Sequence, residues 1–250
     1  MKLTYDRTIS ISELKSRKDT NLQQKQLSLS EFYIRLENPK RSTETLTEYK
    51  SLPKAQQDNL KDTGGYVAGT FSGRRRKAEA ATGRDIITLD FDGIPTGRTN
   101  EAIEKVKSLS WGSCIHSTRK HSSSSPRLRV LFPLDKSATP DEYIPIARLL
   151  ASMICIEWID QTTFEPSRLM YWPSCCSDSE YIFEVQDKPL LSVDYALKLH
   201  MVLYGDWKDP RYWPTQPNAP TDIRSLVKKQ DDPEAKQGLV GAFCRKYDIF

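Results

Sequence analysis

At 250 residues, with 38% hydrophobic and 28% charged side chains, the chain has the composition of a soluble globular protein. It has room for one large domain, or for one domain and an appendage. No apolar run approaches the length of a membrane helix and the first residues lack a signal-peptide core, which argues against a membrane partner and for a cytoplasmic setting. The formal net charge is only +4, so a polyanion would have to be held by local clusters: Arg74 to Lys77, Arg119-Lys120, Arg127 with Arg129, and Lys228-Lys229. The five cysteines form no Cys-x-x-Cys, and the adjacent Cys175-Cys176 suit neither a zinc ribbon nor a disulfide framework, so reduced thiols are expected.

Residues 1–30 are polar, and a peripheral strand near Lys2 to Tyr5 is expected before a loosely held segment. Residues 31–62 read as mostly helical, and Gly64-Gly65 marks a turn into a strand through Val67, Thr70 and Phe71. A strand follows at residues 86–92, then a loop from Gly93 to Gly97 and a helix from Asn100 to Leu109 with Ile103 and Val106 inward. The segments 113–118 and 127–134, joined across a serine-rich turn, predict a β-hairpin. Thr139-Pro-Asp-Glu142 is a helix start: Thr139 is the N-cap, Pro140 fills the first position, and Glu142 completes a capping box. That helix carries Tyr143, Ile146, Ala147, Leu150 and Ile154 as an apolar stripe. Met170 to Trp172 and Tyr181 to Phe183 predict two more strands, and Val193 to Leu203 a helix. From Asp187 onward prolines become frequent, so a domain of residues 1–186 is expected, followed by a proline-rich, partly helical segment over 187–250 that includes a helix pattern at Leu239 to Tyr247.

The most informative run is Ile86-Ile-Thr-Leu-Asp-Phe-Asp92. In a strand Asp90 and Asp92 share one face, while Ile87, Leu89 and Phe91 share the other. Two carboxylates held so close repel unless a positive group stands between them, and a divalent cation with a taste for carboxylate oxygen is one solution. Two solvated acids at a strand end is the plainer one. By the same repulsion, removing either acid is expected to leave stability level or raise it. Asp160, in Trp-Ile-Asp, is a third acid after apolar residues. In Arg127-Leu-Arg-Val-Leu-Phe132 the apolar Leu128, Val130 and Phe132 alternate with Arg127 and Arg129, so acids and guanidiniums can share the open face of one sheet. Carboxylates for metal beside arginines for phosphate suit phosphoryl transfer.

An acidic pair at a strand end, a segment with Ser117 and His121, and a later hydrophobic-Asp resemble the motif order of the archaeo-eukaryotic primase superfamily, the primase-polymerases. The wording is most similar to the N-terminal primase domains of phage and prophage replication proteins. The similar stretches are Gly64 to Phe71, Ile87 to Gly93, His116 to His121 with Pro126 to Arg129, and Thr163 to Ser174. The resemblance departs at one point: the superfamily's middle motif is Ser-x-His, whereas Ser117 and His121 are separated by three residues. It implies an α+β fold, a primase-polymerase catalytic core with an RNA-recognition-motif-like sheet and flanking helices. It implies template-directed nucleotidyl transfer in phage or mobile-element DNA replication, with Asp90, Asp92 and Asp160 holding two Mg²⁺ or Mn²⁺ ions. Ser117, His121, Arg129 and Arg168 would then hold the nucleoside triphosphate, although Arg168 could instead pair with Glu165. A single-stranded DNA template would follow Arg74, Arg75, Arg76, Lys77, Arg119, Lys120 and Arg127. The segment after residue 186 resembles the lead into a helicase domain, supplied by a longer polypeptide or in trans; residues 1–250 contain no Gly-x-x-x-x-Gly-Lys-Ser/Thr loop. A metal-dependent nuclease and a catalytically silent DNA-binding domain are the competing readings.

Overall fold

A computed structural model describes residues 1–217. In chain order its elements are β1 (Thr8–Leu14), β2 (Gln23–Ser28), α1 (Leu29–Glu37), β3 (Lys40–Arg41), α2 (Leu46–Ser51), α3 (Lys54–Lys61), β4 (Gly65–Val67), β5 (Gly69–Phe71), β6 (Ala81–Phe91), α4 (Thr99–Lys107), β7 (Ser113–Ser117), β8 (Leu128–Ala138), α5 (Pro140–Ile154), β9 (Met170–Tyr171), β10 (Ser174–Cys175), β11 (Phe183–Gln186) and α6 (Val193–Leu203). A five-stranded sheet runs β11-β7-β8-β6-β5 and a four-stranded sheet runs β2-β1-β4-β9, while β10 and β3 form a short parallel pair. Every pairing in the two larger sheets is antiparallel, so helices and strands meet here as α+β, as expected.

Strand alternation divides the five-stranded sheet into two faces. Ile87, Leu89 and Phe91 of β6, Val130 and Phe132 of β8 and Ile115 of β7 all enter one core with Ala102, Ile103 and Val106 of α4 and the stripe of α5. The Thr139–Glu142 capping box forms as read, with Pro140 at the first position. Burying side chains such as Ile146 and Leu150 contributes about 1.5–3 kcal/mol each, which is what seats α5 on the sheet.

The opposite face is not open along its length. Ile86, Leu131 and Cys114 pack beneath Ile9 and Ile11 of β1, Phe32 and Leu36 of α1, and Tyr66 of β4. The end of the sheet near Asp90 and Asp92 stays accessible on that face, with Asp90 half-buried and Asp92 exposed.

Three expectations are corrected. The first strand lies at Thr8–Leu14, not Lys2 to Tyr5, because the inward alternation is carried by Ile9 and Ile11. The segment expected to be loosely held contains β2, a polar edge strand paired along β1 from Thr8↔Ser28 to Glu13↔Gln23. The packed core also runs past Asp187: Leu191, Val193, Ala196 and Leu197 join the α5 core, and Arg148 Nη1 donates to the Pro214 carbonyl at 3.0 Å. The helix pattern at Leu239 to Tyr247, Lys228-Lys229 and Cys244 lie outside the described residues. Cys114, Cys155, Cys175 and Cys176 are free thiols, and among the described residues no helix is long and apolar enough to cross a membrane.

Candidate functional site

The antiparallel register sets Arg129 opposite Asp90 on one side and opposite His116 on the other, so three chemically distinct side chains form a row across β6, β8 and β7. Arg129 grips Asp90 with both prongs, Nε to Oδ1 at 2.6 Å and Nη2 to Oδ2 at 3.0 Å, and its Nη1 donates to the Tyr171 carbonyl at 2.9 Å. Because both strands alternate with period two, the same register brings Arg127 to Asp92, at 2.6 Å from Oδ2. The inner pair is nearly dry, with side-chain exposures of 8% for Arg129 and 18% for Asp90. The outer pair is wet, at 29% for Arg127 and 43% for Asp92.

Electrostatics follow from that burial. Desolvation alone would raise the Asp90 carboxyl, but the Arg129 guanidinium outweighs it and, with His116 and Arg168 nearby, holds the group below its ordinary value. Burial, reinforced by the charge of Arg129, pushes the His116 imidazole down to about 4. His116 is therefore neutral near pH 7. Its Nδ1 lies 3.0 Å from the Ser117 carbonyl, which can only accept, so the proton sits on Nδ1 and Nε2 keeps its lone pair. That Nε2 is buried and, among the described residues, has no hydrogen-bond partner. Lys61, at the end of α3, stands 4.9 Å from the centre of the Tyr171 ring, and burial followed by the charge of Arg129 lowers its pKa.

Asp160 reaches the same strand end through its backbone. Phe91 and Ile159 form a bridge, and the Asp160 N–H donates to the Asp90 carbonyl at 2.9 Å. Gly93 permits this approach: a Cβ there would sit 3.0 Å from the Glu157 carbonyl oxygen and 3.1 Å from the Trp158 Cα. The Asp160 carboxylate, however, caps its own turn, accepting from the Thr162 N–H at 3.0 Å and the Thr162 hydroxyl at 2.9 Å. Thr163 fastens the turn by donating its hydroxyl to the Thr88 carbonyl at 2.7 Å. Asp90 and Asp92 are thus engaged by arginines and Asp160 by Thr162. Among the described residues no group of three or more His, Cys, Asp or Glu side chains is placed to hold a metal ion. As arranged, the three acids do not fit one.

The remaining expected residues divide. Arg168 is near enough for its charge to help lower the Asp90 carboxyl, and among the described residues it forms no ion pair with Glu165; its backbone N–H donates to the Glu165 carbonyl. Ser117 is buried and its hydroxyl accepts from the Ile182 N–H at 3.0 Å, fixing β11 rather than facing the row. His121 sits in the turn between β7 and β8, where its Nδ1 accepts from the Arg127 N–H at 3.1 Å. Arg119, expected to meet nucleic acid, is buried, paired with Glu44 and laid over the Tyr49 ring. Lys120 remains half-exposed near Asp92 and Lys54. Arg74, Arg75 and Lys77 are exposed, and Arg76 donates to the Ser167 carbonyl at 3.1 Å, which moors this basic loop next to Arg168.

Two site residues were not expected in these positions. His116 takes the place in the row assigned from sequence to His121, and the signal was available: Ile115 belongs to the helix-side core, so its neighbour must face Asp90. Lys61 had no local signal, because α3 meets the row only through tertiary packing.

A family model described as the VapE N-terminal domain matches residues 1–216. No curated protein matches the chain. Among solved structures, the AEP domain of the primase-polymerase of cyanophage S-2L is similar at 12% identity, covering 76% of this chain and 88% of that one with a TM-score of 0.41. A likeness at that level assigns no role to any residue here.

Proposed function

Because the chain belongs to the VapE N-terminal domain family, we propose that its site serves template-directed nucleotidyl transfer in the replication of phage or mobile-element DNA, as a primase-polymerase domain. The observation that carries this reading is the pair of acid–guanidinium couples, Asp90–Arg129 and Asp92–Arg127, at one open strand end bordered by the further cations Lys61 and Arg168. Guanidiniums match a phosphate's geometry as well as a carboxylate's, so this rim can take the triphosphate of an incoming nucleotide. Arg129, Arg168 and Lys61 would bind the phosphates, and the Nε2 lone pair of His116 would accept from a hydroxyl. The exposed Arg74, Arg75 and Lys77, with Lys120, would carry the backbone of a single-stranded DNA template. The divalent ions of such a reaction, Mg²⁺ or Mn²⁺, would lower the barrier at phosphorus when bound. Asp90, Asp92 and Asp160 do not fit them as they stand. A helicase activity, in the same polypeptide or in trans, would supply the unwound template.

The engagement of both strand acids by arginine favours one second reading, a domain that binds DNA without doing chemistry. Extension of a labelled strand on a single-stranded template, with and without a primer, decides between them. Incorporation of nucleotides supports the first reading, and retention of the strand without chemistry supports the second. Scission of the strand would overturn both in favour of a nuclease.

A further inference from the structure

Helix α6 is apolar on both sides. Apart from Asp194, Lys198 and His200, every residue from Val193 to Leu203 is hydrophobic. Val193, Ala196 and Leu197 enter the α5 core and His200 is buried beside them, which accounts for one side only. On the other side Tyr195, Leu199 and Val202 follow steps of four and three along one line, with Tyr195 54% and Val202 81% exposed. A surface helix keeps its outer line polar, and a helix apolar all round is one that is covered all round. We infer that α6 packs its outer face antiparallel against α6 of a second copy of the chain, across a two-fold axis passing near Lys198. The inference is independent of the function proposed above.

Size and charge both point to a second copy. Six of the eleven exposed large hydrophobic side chains among the described residues fall between residues 195 and 212. Met201 and Leu203 flank the line, Tyr204 continues it, and the Tyr212 ring lies over Gly205, where a Cβ would stand 2.9 Å from it. Together these side chains expose on the order of 500 Å². A stable interface takes about 800 Å² from each partner, and about 65% of that is apolar in homodimers, so the patch has the size of one half of such a contact. Its acids are already neutralised: Asp194 pairs with Lys136 at 2.7 Å and Asp209 with Arg211. That leaves Lys198, exposed and in no ion pair among the described residues, as the one charge on the line, so a charged partner would find little to recognise. The antiparallel arrangement instead sets Tyr195 against Val202 of the partner subunit, and again on the other side of the axis. It also brings the positive N-terminal end of each α6 beside the negative C-terminal end of the other. The two Lys198 side chains meet near the axis, where their stems cover apolar surface while the ammonium groups turn to the rim.

The test is the mass of the full chain in solution, by sedimentation equilibrium at concentrations up to about 0.1 mM, where an interface of this area should hold. Wild type should be a dimer. V202D should weaken it about a hundredfold, because it buries an unpaired charge in the contact, and K198L should tighten it about tenfold by removing the like charges at the axis. K198C should give a covalent dimer on mild oxidation, since a residue at a two-fold axis meets its own copy. Wild type, with its native thiols, and I34C, at an exposed residue away from α6, should not. A monomeric wild type overturns the inference, and so does a dimer that V202D leaves intact. Open-ended oligomers overturn it as well, because a two-fold contact closes on itself. If V202D fails to fold, as judged by its circular dichroism, K198C at the exposed lysine carries the test: a covalent dimer supports the contact, and its absence from a dimeric protein overturns it.

Discussion

Replacing Asp90 by alanine removes one half of a nearly buried ion pair and leaves the other half behind. Arg129 keeps 8% of its side chain exposed and loses the two carboxylate hydrogen bonds at 2.6 and 3.0 Å, retaining only the Tyr171 carbonyl. Stranding a buried charge in this way costs about 3–5 kcal/mol, and because Asp90 has a partial opening to water the lower end, about 3 kcal/mol, applies. For a domain of this size that corresponds to a fall in Tm of roughly 6–12 °C. Asp92→Ala should cost no more than about 1 kcal/mol, since its pair with Arg127 is well hydrated. The double variant Asp90→Ala/Arg129→Met should recover much of the loss, because the orphaned charge is gone. The assay is thermal unfolding by circular dichroism in EDTA-treated buffer near pH 7. An Asp90→Ala protein that melts at or above wild type would refute the reasoning. It would also restore the expectation from sequence alone, which considered only the repulsion between the two acids.

Stability should fall as pH drops from about 6.5 toward about 4, because His116 is neutral in the fold down to about 4 while the unfolded chain takes up its proton near 6.5. The full window is worth on the order of 3 kcal/mol, and His116→Asn should flatten the pH dependence of the urea midpoint; an unchanged slope would refute the assignment. Lys61→Ala should weaken nucleotide binding by about 1.5–3 kcal/mol while leaving single-strand binding intact, measured by fluorescence titration with a labelled nucleotide; equal losses for both ligands would place Lys61 elsewhere. Replacing Arg74, Arg75 and Lys77 with alanine should weaken binding to all single strands alike and reduce the salt slope by about 0.7 for each phosphate no longer neutralised, and an unaltered slope would remove this loop from the template path. Arg119→Ala should lower Tm through the loss of its buried pair with Glu44, with single-strand affinity unchanged in the folded fraction.

Period-two alternation made much of the site legible. From Ile87, Leu89 and Phe91 alone, the two acids of β6 could be put on the face away from the helices, and Val130 and Phe132 did the same for the arginines of β8. Cap chemistry located α5 at its first residue, and the apolar spacing predicted α6 with the observed bounds. What escaped was whatever depends on register and on distant elements. That Arg129 lies opposite Asp90, not Asp92, is decided by the β6–β8 pairing. That Arg119 is consumed by Glu44 depends on an approach between residues 75 positions apart. His121 looked more promising than His116 because motif order, a histidine following the serine, was weighed above strand alternation. The covering of the second sheet face by β1 and α1 was hidden by the polar composition of the first thirty residues, whose inward positions are few.

Asp90 belongs to a strand end held on both edges, by β8 on one and by the Ile159–Thr163 turn on the other, with Leu89 and Phe91 fixed in the core beneath it. The acids therefore cannot travel without dragging the centre of the sheet, a motion on the timescale of partial unfolding. Arg127, by contrast, ends in a long, partly exposed side chain that reorients by rotamer changes, which in exposed residues take picoseconds to nanoseconds, whereas the buried Arg129 must first give up its bonds to Asp90 and the Tyr171 carbonyl. Any change of partners at this site is consequently made by the arginines around stationary carboxylates, and its speed is set by how quickly water and a competing anion reach the guanidiniums.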